Sequence, residues 1–81
     1  MKILIIEDEY PAAERLEKLI KKFDPRIEIC AVLESVEAGR KWFANGEQAD
    51  LIFSDIQLAD GLSFQLFEEF PAHSPIIFTT S

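Results

Sequence analysis

Three acidic side chains stand where two short apolar segments of the chain end. Glu7 and Asp8 follow the apolar run 3–6, and Asp55 follows the run 51–53 after a single serine. In open α/β sheets, ligands bind beyond the carboxyl ends of parallel strands, at the point where the strand order reverses. If the two segments are neighbouring strands at that point, the three carboxylates meet in one crevice.

Carboxylates that meet in a crevice repel one another unless a cation lies among them. Mg²⁺ suits such a place, because it binds one or two carboxylates and keeps several of its waters. The ion could also orient a phosphoryl group for attack by a carboxylate, which would give an acyl phosphate. Thr79 or Thr80, near the end of the last apolar run, could then hydrogen-bond the phosphoryl oxygens.

The same acids have a plainer interpretation. Acidic residues after strands are often solvated loop starts, and 7–9 could be charges that the helix dipole favours at a helix N-terminus. Spacing alone leaves both interpretations open.

The elements that would position these residues alternate along the chain. Continuous apolar runs predict strands, buried on both faces, at 3–6, 27–33, 51–53 and 76–78. Amphipathic stretches predict a helix from Pro11 to Asp24, one from Ser35 to Asn45 and one after the loop 56–61. The inner faces of the first and third helices are expected to carry Ala12, Leu16, Leu19, Ile20 and Phe23, and Phe64, Phe67 and Phe70, respectively.

The resulting order, βαβαβαβ, predicts an α/β fold. Strands that alternate with helices pair in parallel, with the helices on both faces of the sheet.

Composition narrows the range of functions. The chain has 81 residues, enough for one small domain, and a net charge of −7, which disfavours direct nucleic-acid binding. The single cysteine, Cys30, cannot form an internal disulfide. The amino-terminal apolar run is too short for a signal peptide or a membrane span, so we expect a cytoplasmic protein that does not contact membranes.

Three segments resemble the receiver domains of two-component response regulators. They are Ile-Ile-Glu-Asp-Glu at 5–9, Leu-Ile-Phe-Ser-Asp-Ile-Gln-Leu-Ala-Asp-Gly at 51–61 and Ile-Ile-Phe-Thr-Thr at 76–80. The amino-acid sequences of these segments are most similar to those of LytTR-type regulators, in which a receiver precedes a DNA-binding domain. The resemblance extends over the whole chain and implies a flavodoxin-like parallel sheet.

The resemblance also implies a role for each acidic position. Asp55 would accept a phosphoryl group from a sensor histidine kinase. Asp8 and Asp55 would bind Mg²⁺ directly, and Gln57 would contribute its backbone carbonyl. Glu7, where the family usually has Asp, would act through water.

The family's switch hydroxyl corresponds best to Thr80. One small residue normally follows that hydroxyl, and Ser81 fills this place, which would make Thr79 a strand neighbour.

The resemblance ends after the fourth predicted strand. Receivers continue with a helix, a strand carrying a phosphate-contacting lysine, and a further helix, and no lysine follows the third predicted strand here. We therefore expect residues 1–81 to be the amino-terminal portion of a receiver domain, truncated after that strand. Its last strand would be an exposed apolar edge that self-associates by edge pairing or swapping.

Three functions remain to be distinguished. The first is a phosphorylated signalling switch, not an enzyme, with a transcriptional output. The second is a receiver-like interaction module that is not phosphorylated, which the missing lysine favours. The third is an aspartate-nucleophile phosphotransferase resembling haloacid dehalogenases, but Gln57 stands where those enzymes need a second carboxylate.

Overall fold

The computed structural model describes residues 1–71 and 73–79, so Thr80 lies outside the described residues. The elements are β1 (Lys2–Ile6), α1 (Tyr10–Phe23), β2 (Glu28–Leu33), α2 (Val36–Ala44), β3 (Leu51–Asp55), β4 (Gln57–Leu58), β5 (Gly61–Leu62), α3 (Ser63–Glu69) and β6 (Ile76–Thr79). None of the helices in the described ranges is long and apolar enough to cross a bilayer.

The main sheet is parallel and has the order β2-β1-β3-β6. The strand order reverses between β1 and β3, so these two central strands flank the switch point where a ligand crevice opens. The predicted parallel α/β fold is therefore confirmed. Glu28, a polar residue at the start of β2, lies on an outer strand of this sheet.

Alternate side chains of β1 build two cores on opposite faces of the sheet. Leu4 and Ile6 pack in one cluster with residues of α2, β3 and α3. Ile3 and Ile5 pack in the other, with residues of α1 and with Ile27. Successive residues of a strand point to opposite faces, so a continuous apolar run requires cover on both.

Helix α2 begins and ends at the residues that the sequence indicates. The Ser35 hydroxyl accepts a hydrogen bond from the Ala38 amide at 3.0 Å, and Asn45 is the C-terminal cap. Gly46 follows with φ of 79°, a backbone conformation that glycine adopts without steric cost.

The expected inner face of α3 is wrong at Phe64. Phe64 is 43% exposed, whereas Leu66 is fully buried. Leu66 occupies this position because it packs against Gly39 of α2, where even a Cβ atom would lie 2.4 Å from Leu66 Cδ2. Phe64 packs edge-on against Phe78 of β6 instead, with ring centroids 4.9 Å apart.

The expected inner face of α1 is wrong at two of its five members. Leu19 and Phe23 are exposed, and Ala13 and Ile20 are the buried residues of the helix. Leu19 and Phe23 line an apolar groove beside the sheet, together with Ile27 and Phe53. The small Ala13 side chain faces the core, where it packs in the same cluster as Ile3 and Ile5.

Candidate functional site

The carboxylates of Glu7, Asp8 and Asp55 come together at the carboxyl edge of the sheet. The register pairs Ile6 of β1 with Ser54 of β3, so Glu7 and Asp55 are the next residues on the two strands. One oxygen from each of the three carboxylates lies within 4.8 Å of the others. The structure thus groups the three acids that the sequence analysis singles out, and it does so at the switch point.

Backbone amides hold two of these side chains in place. Glu7 and Asp55 are only 7% and 6% exposed. Glu7 Oε2 accepts from the Glu9 amide at 3.2 Å, and Asp55 Oδ1 accepts from the Ile56 amide at 2.8 Å. The Glu7 amide itself donates to the Leu33 carbonyl at 2.9 Å, which fixes the end of β1 against β2.

The environment of Glu7 opposes its negative charge. Burial raises the pKa of the Glu7 carboxyl above its ordinary value, and the Asp55 charge raises it further, while the hydrogen bond from the Glu9 amide lowers it. Because burial and the Asp55 charge disfavour the ionised form of Glu7, either a proton or a nearby cation would stabilise this side chain. The site therefore favours occupation by positive charge.

Asp8 and Asp55 face an open cleft of about 480 Å³. It is lined by Asp8, Glu9, Asp55 and the segment 56–59. Carboxylate and backbone carbonyl oxygens are the ligands that Mg²⁺ and Ca²⁺ prefer. Gln57 lies on this lining and is exposed, so it belongs to the cleft.

The segment 56–61, expected to be a loop, contains a small hairpin. Strands β4 and β5 pair antiparallel, with Gln57 opposite Leu62. At its base, the Ile56 carbonyl accepts hydrogen bonds from the Ser63 amide at 2.9 Å and the Ser63 hydroxyl at 3.2 Å. The φ of 147° at Gly61 lies in a region that favours glycine, which explains this residue at the turn.

Sequence reasoning missed the contact made by Asp60. Its carboxylate accepts hydrogen bonds from the Val36 amide at 2.8 Å and the Glu37 amide at 3.1 Å, at the start of α2. The bond from Val36, followed by that from Glu37, holds the pKa of the Asp60 carboxyl below its ordinary value. The sequence shows an acid beside a turn glycine, but it does not indicate the partners of that acid, which are 24 and 23 residues away.

Of the two candidate switch residues, Thr79 belongs to the described residues and Thr80 does not. Thr79 is the last residue of β6 and pairs in register with Asp55. Thr80, the predicted switch hydroxyl, is the next residue and lies outside the described residues. Lys41 is the last lysine of the sequence, so no lysine follows β3.

Comparison with known proteins gives matches among solved structures. No family model matches the sequence, and no curated protein matches it. The chain is similar to the receiver domain of the PhyR response regulator from Erythrobacter litoralis, with 30% identity and a TM-score of 0.74, over 98% of this chain and 61% of that one.

Two further structures have the same fold. PhyR from Brucella abortus is 25% identical with a TM-score of 0.80, over 95% of this chain and 32% of that chain. The N-terminal domain of a response regulator/sensory box/GGDEF three-domain protein from Carboxydothermus hydrogenoformans is 25% identical with a TM-score of 0.81, over 99% and 64%. The chain thus spans about a third of the Brucella protein's length. These matches show the receiver-type fold and support a receiver role.

The raised pKa of Glu7 predicts a pH effect on stability. Just above pH 4.5, the ordinary pKa of the group, Glu7 keeps its proton in the folded protein but loses it in the unfolded chain. The free energy of unfolding should therefore fall as pH rises through this window, and Glu7→Gln should remove that component. Urea unfolding in metal-free buffer between pH 4.5 and 7 measures the difference.

Asp55→Asn serves as the comparison variant. This variant removes the charge next to Glu7 but leaves Glu7 buried. The pH dependence of the free energy of unfolding that is due to Glu7 should therefore become smaller without disappearing. Parallel stability curves for wild type and Glu7→Gln across the whole range would contradict the prediction.

Proposed function

We propose that residues 1–81 form the amino-terminal portion of a response-regulator receiver and that Asp55 accepts a phosphoryl group from a sensor histidine kinase. The observation that carries the proposal is the convergence of Glu7, Asp8 and Asp55 within 4.8 Å at the switch point of the sheet. The receiver-type fold of the chain supports it.

The donor set at the cleft fits Mg²⁺. Asp8 and Asp55 would bind the ion directly, Glu7 through water, and Gln57 through its backbone carbonyl. All of these are hard oxygen ligands, and burial together with the Asp55 charge raises the pKa of Glu7, so a cation nearby would stabilise its ionised form. When bound, the ion would offset the charge of the acids and of the incoming phosphoryl group.

The transfer itself needs few protein groups. A carboxylate oxygen of Asp55 attacks the phosphorus, the P–N bond of a phosphohistidine breaks, and the histidine leaves with a proton. The product is an aspartyl phosphate. The Ile56 amide, which donates to Asp55 Oδ1, orients the nucleophile, and the surrounding acids remain in place to bind the cation.

The modified aspartate would act as a switch through the neighbouring strand. Thr79 pairs with Asp55, and Thr80 is the next residue in the sequence. We assign the switch hydroxyl to Thr80. The added phosphoryl charge would shift a two-state equilibrium of the surrounding loops.

We propose a transcriptional output, because the three segments at 5–9, 51–61 and 76–80 resemble those of LytTR-type regulators. A receiver fold alone does not determine output, and the Carboxydothermus protein is described as joining its response-regulator part to a sensory box and a GGDEF domain. With a net charge of −7, this chain would act through a partner or a further domain and not bind DNA itself.

Phosphotransfer to Asp55 is tested by intact-mass analysis after incubation with Mg²⁺ and acetyl phosphate. The wild type should gain the mass of one phosphoryl group, and Asp55→Asn should gain none, because an amide is not a nucleophile for this transfer. Asp50→Asn is a matched control, since Asp50 is an exposed aspartate that precedes the same strand.

Two results would contradict the proposal. One is an adduct of equal yield in Asp55→Asn, which would place the reaction elsewhere. The other is a wild type that binds Mg²⁺ yet gains no adduct, which would favour a receiver-like module that is not phosphorylated.

We also propose that the chain self-associates through β6. Within the described residues β6 pairs only with β3, and Ile77 and Phe78 are 45% and 40% exposed. An apolar strand edge of this kind is a template for pairing with another chain. In sedimentation velocity, association should increase with concentration and be lost in Ile77→Lys.

Val32→Lys is the control for this experiment. Val32 is 43% exposed on β2, the strand at the other edge of the sheet, so a lysine there adds the same charge without touching β6. A wild type that stays monomeric at the highest concentration, or a Val32→Lys variant that dissociates as fully as Ile77→Lys, would rule out this interface.

A further inference from the structure

The Asp60 side chain connects the hairpin that lines the cleft to helix α2. Asp60 stands in the turn between β4 and β5, three residues beyond Gln57. Its two carboxylate oxygens accept separately, Oδ1 from the Val36 amide and Oδ2 from the Glu37 amide. The two partners are 24 and 23 residues away in the sequence, so the contact joins elements that the chain does not connect directly.

The first turn of α2 depends on both of its caps. The first amides of a helix have no partner within the helix and need another acceptor. Ser35 supplies one for Ala38, while Asp60 supplies those for Val36 and Glu37. A carboxylate at this position is also favoured by the positive end of the helix dipole. The same first turn is therefore capped locally by one residue and remotely by the other.

The other attachments of the hairpin are apolar or lie at its base. Leu58 is 3% exposed and packs in the core cluster that contains Val36. Ser63 holds the Ile56 carbonyl through its amide and its hydroxyl. Among these described contacts, the one made by Asp60 fixes the turn end of the hairpin, and Gln57 lies between the turn and the base.

We infer that Asp60 is a positioning residue that couples the N-terminus of α2 to the cation site by fixing the hairpin that carries Gln57. The inference rests on the proposed function, since it assigns Gln57 a place in the cation site. Without the Asp60 contact, the hairpin keeps its buried Leu58 but loses the restraint at its turn, and the segment 56–59 lines the cleft less rigidly. Groups that orient metal ligands from outside the first coordination shell affect affinity in this way.

The coupling must act in both directions. If the Asp60 contact strengthens cation binding, then cation binding strengthens the contact by the same factor. Mg²⁺ should therefore slow hydrogen exchange at the Val36 and Glu37 amides, which donate to Asp60. Helix α2 would then report the state of the cleft.

Ser35→Ala and Asp60→Ala form a matched pair for the test. Both variants uncap the same helical turn, but only Asp60→Ala releases the hairpin. The Mg²⁺ dissociation constant of each is measured by NMR titration of the ¹⁵N-labelled protein. A residue that merely stabilised α2 would give the same result in both variants.

We expect Asp60→Ala to weaken Mg²⁺ binding about tenfold, the lower end of the range for groups that orient metal ligands. Ser35→Ala leaves the Asp60 contact in place and should change the dissociation constant by much less than Asp60→Ala. Asp60→Asn should fall between wild type and Asp60→Ala, because its amide oxygen still accepts hydrogen bonds but carries no charge. If Asp60→Ala does not fold, Asp60→Asn against Ser35→Ala decides the question.

Equal changes of the dissociation constant in Ser35→Ala and Asp60→Ala, or no change in Asp60→Ala, would overturn the inference. Hydrogen exchange in metal-free buffer separates this outcome from a failure of the proposed function. If the wild type binds no Mg²⁺, the metal part of the proposed function fails. The contact of Asp60 with α2 is then tested by hydrogen exchange in the hairpin, residues 57–62. Exchange there should be faster in Asp60→Ala and not in Ser35→Ala. Equal exchange of the hairpin amides in the two variants would show that Asp60 does not restrain the hairpin.

Discussion

The grouping of three carboxylates at one edge of the sheet is the constraint on which the candidate site depends. Glu7, Asp8 and Asp55 are held within 4.8 Å of one another, and two of them are almost completely buried. Such a group is unfavourable unless positive charge joins it. The fold holds it because the two strands that carry the acids are the central ones of the sheet, with apolar cores on both faces. The same repulsion that disfavours three ionised carboxylates would favour a cation bound among them.

The surroundings of the cluster turn this charge into a defined site. Backbone amides at 9 and 56 orient two of the carboxylates, and the β4–β5 hairpin forms another side of the cleft. The hairpin is held by a buried leucine, a serine at its base and Asp60 at its turn. Because Asp60 also caps α2, the geometry of the cleft and the start of that helix are parts of one hydrogen-bonded unit. Changes at the acids would thus reach a helix that carries none of them.

The sequence predicted the features that depend on local pattern. The apolar runs indicated the central strands, and the serine before α2 and the asparagine–glycine pair after it indicated that helix's limits. The meeting of Glu7, Asp8 and Asp55 could be anticipated conditionally, because parallel neighbours place their carboxyl ends at one edge. Their roles came from the resemblance to receivers, and the structure supplies the geometry that makes those roles testable.

The features that the sequence did not predict arise from tertiary packing. Leu66, and not Phe64, is buried because a glycine in α2 lets the two helices approach at that point. Leu19 and Phe23 keep helical spacing, yet they lie at the rim of a groove and not in the core. Asp60 escaped notice because its partners are more than twenty residues away, beyond the reach of any local capping pattern.

The most direct measurement of the central claim is calorimetric titration of the protein with Mg²⁺, in wild type, Asp8→Asn and Asp50→Asn. The account predicts one bound ion per chain in the wild type and an unchanged affinity in Asp50→Asn, whose side chain lies at the opposite end of β3 from Asp55. In Asp8→Asn, binding should be weakened by at least about tenfold, because a direct carboxylate ligand loses its charge. Wild-type affinity in Asp8→Asn, or no binding by the wild type, would contradict the claim that the three carboxylates form a cation site.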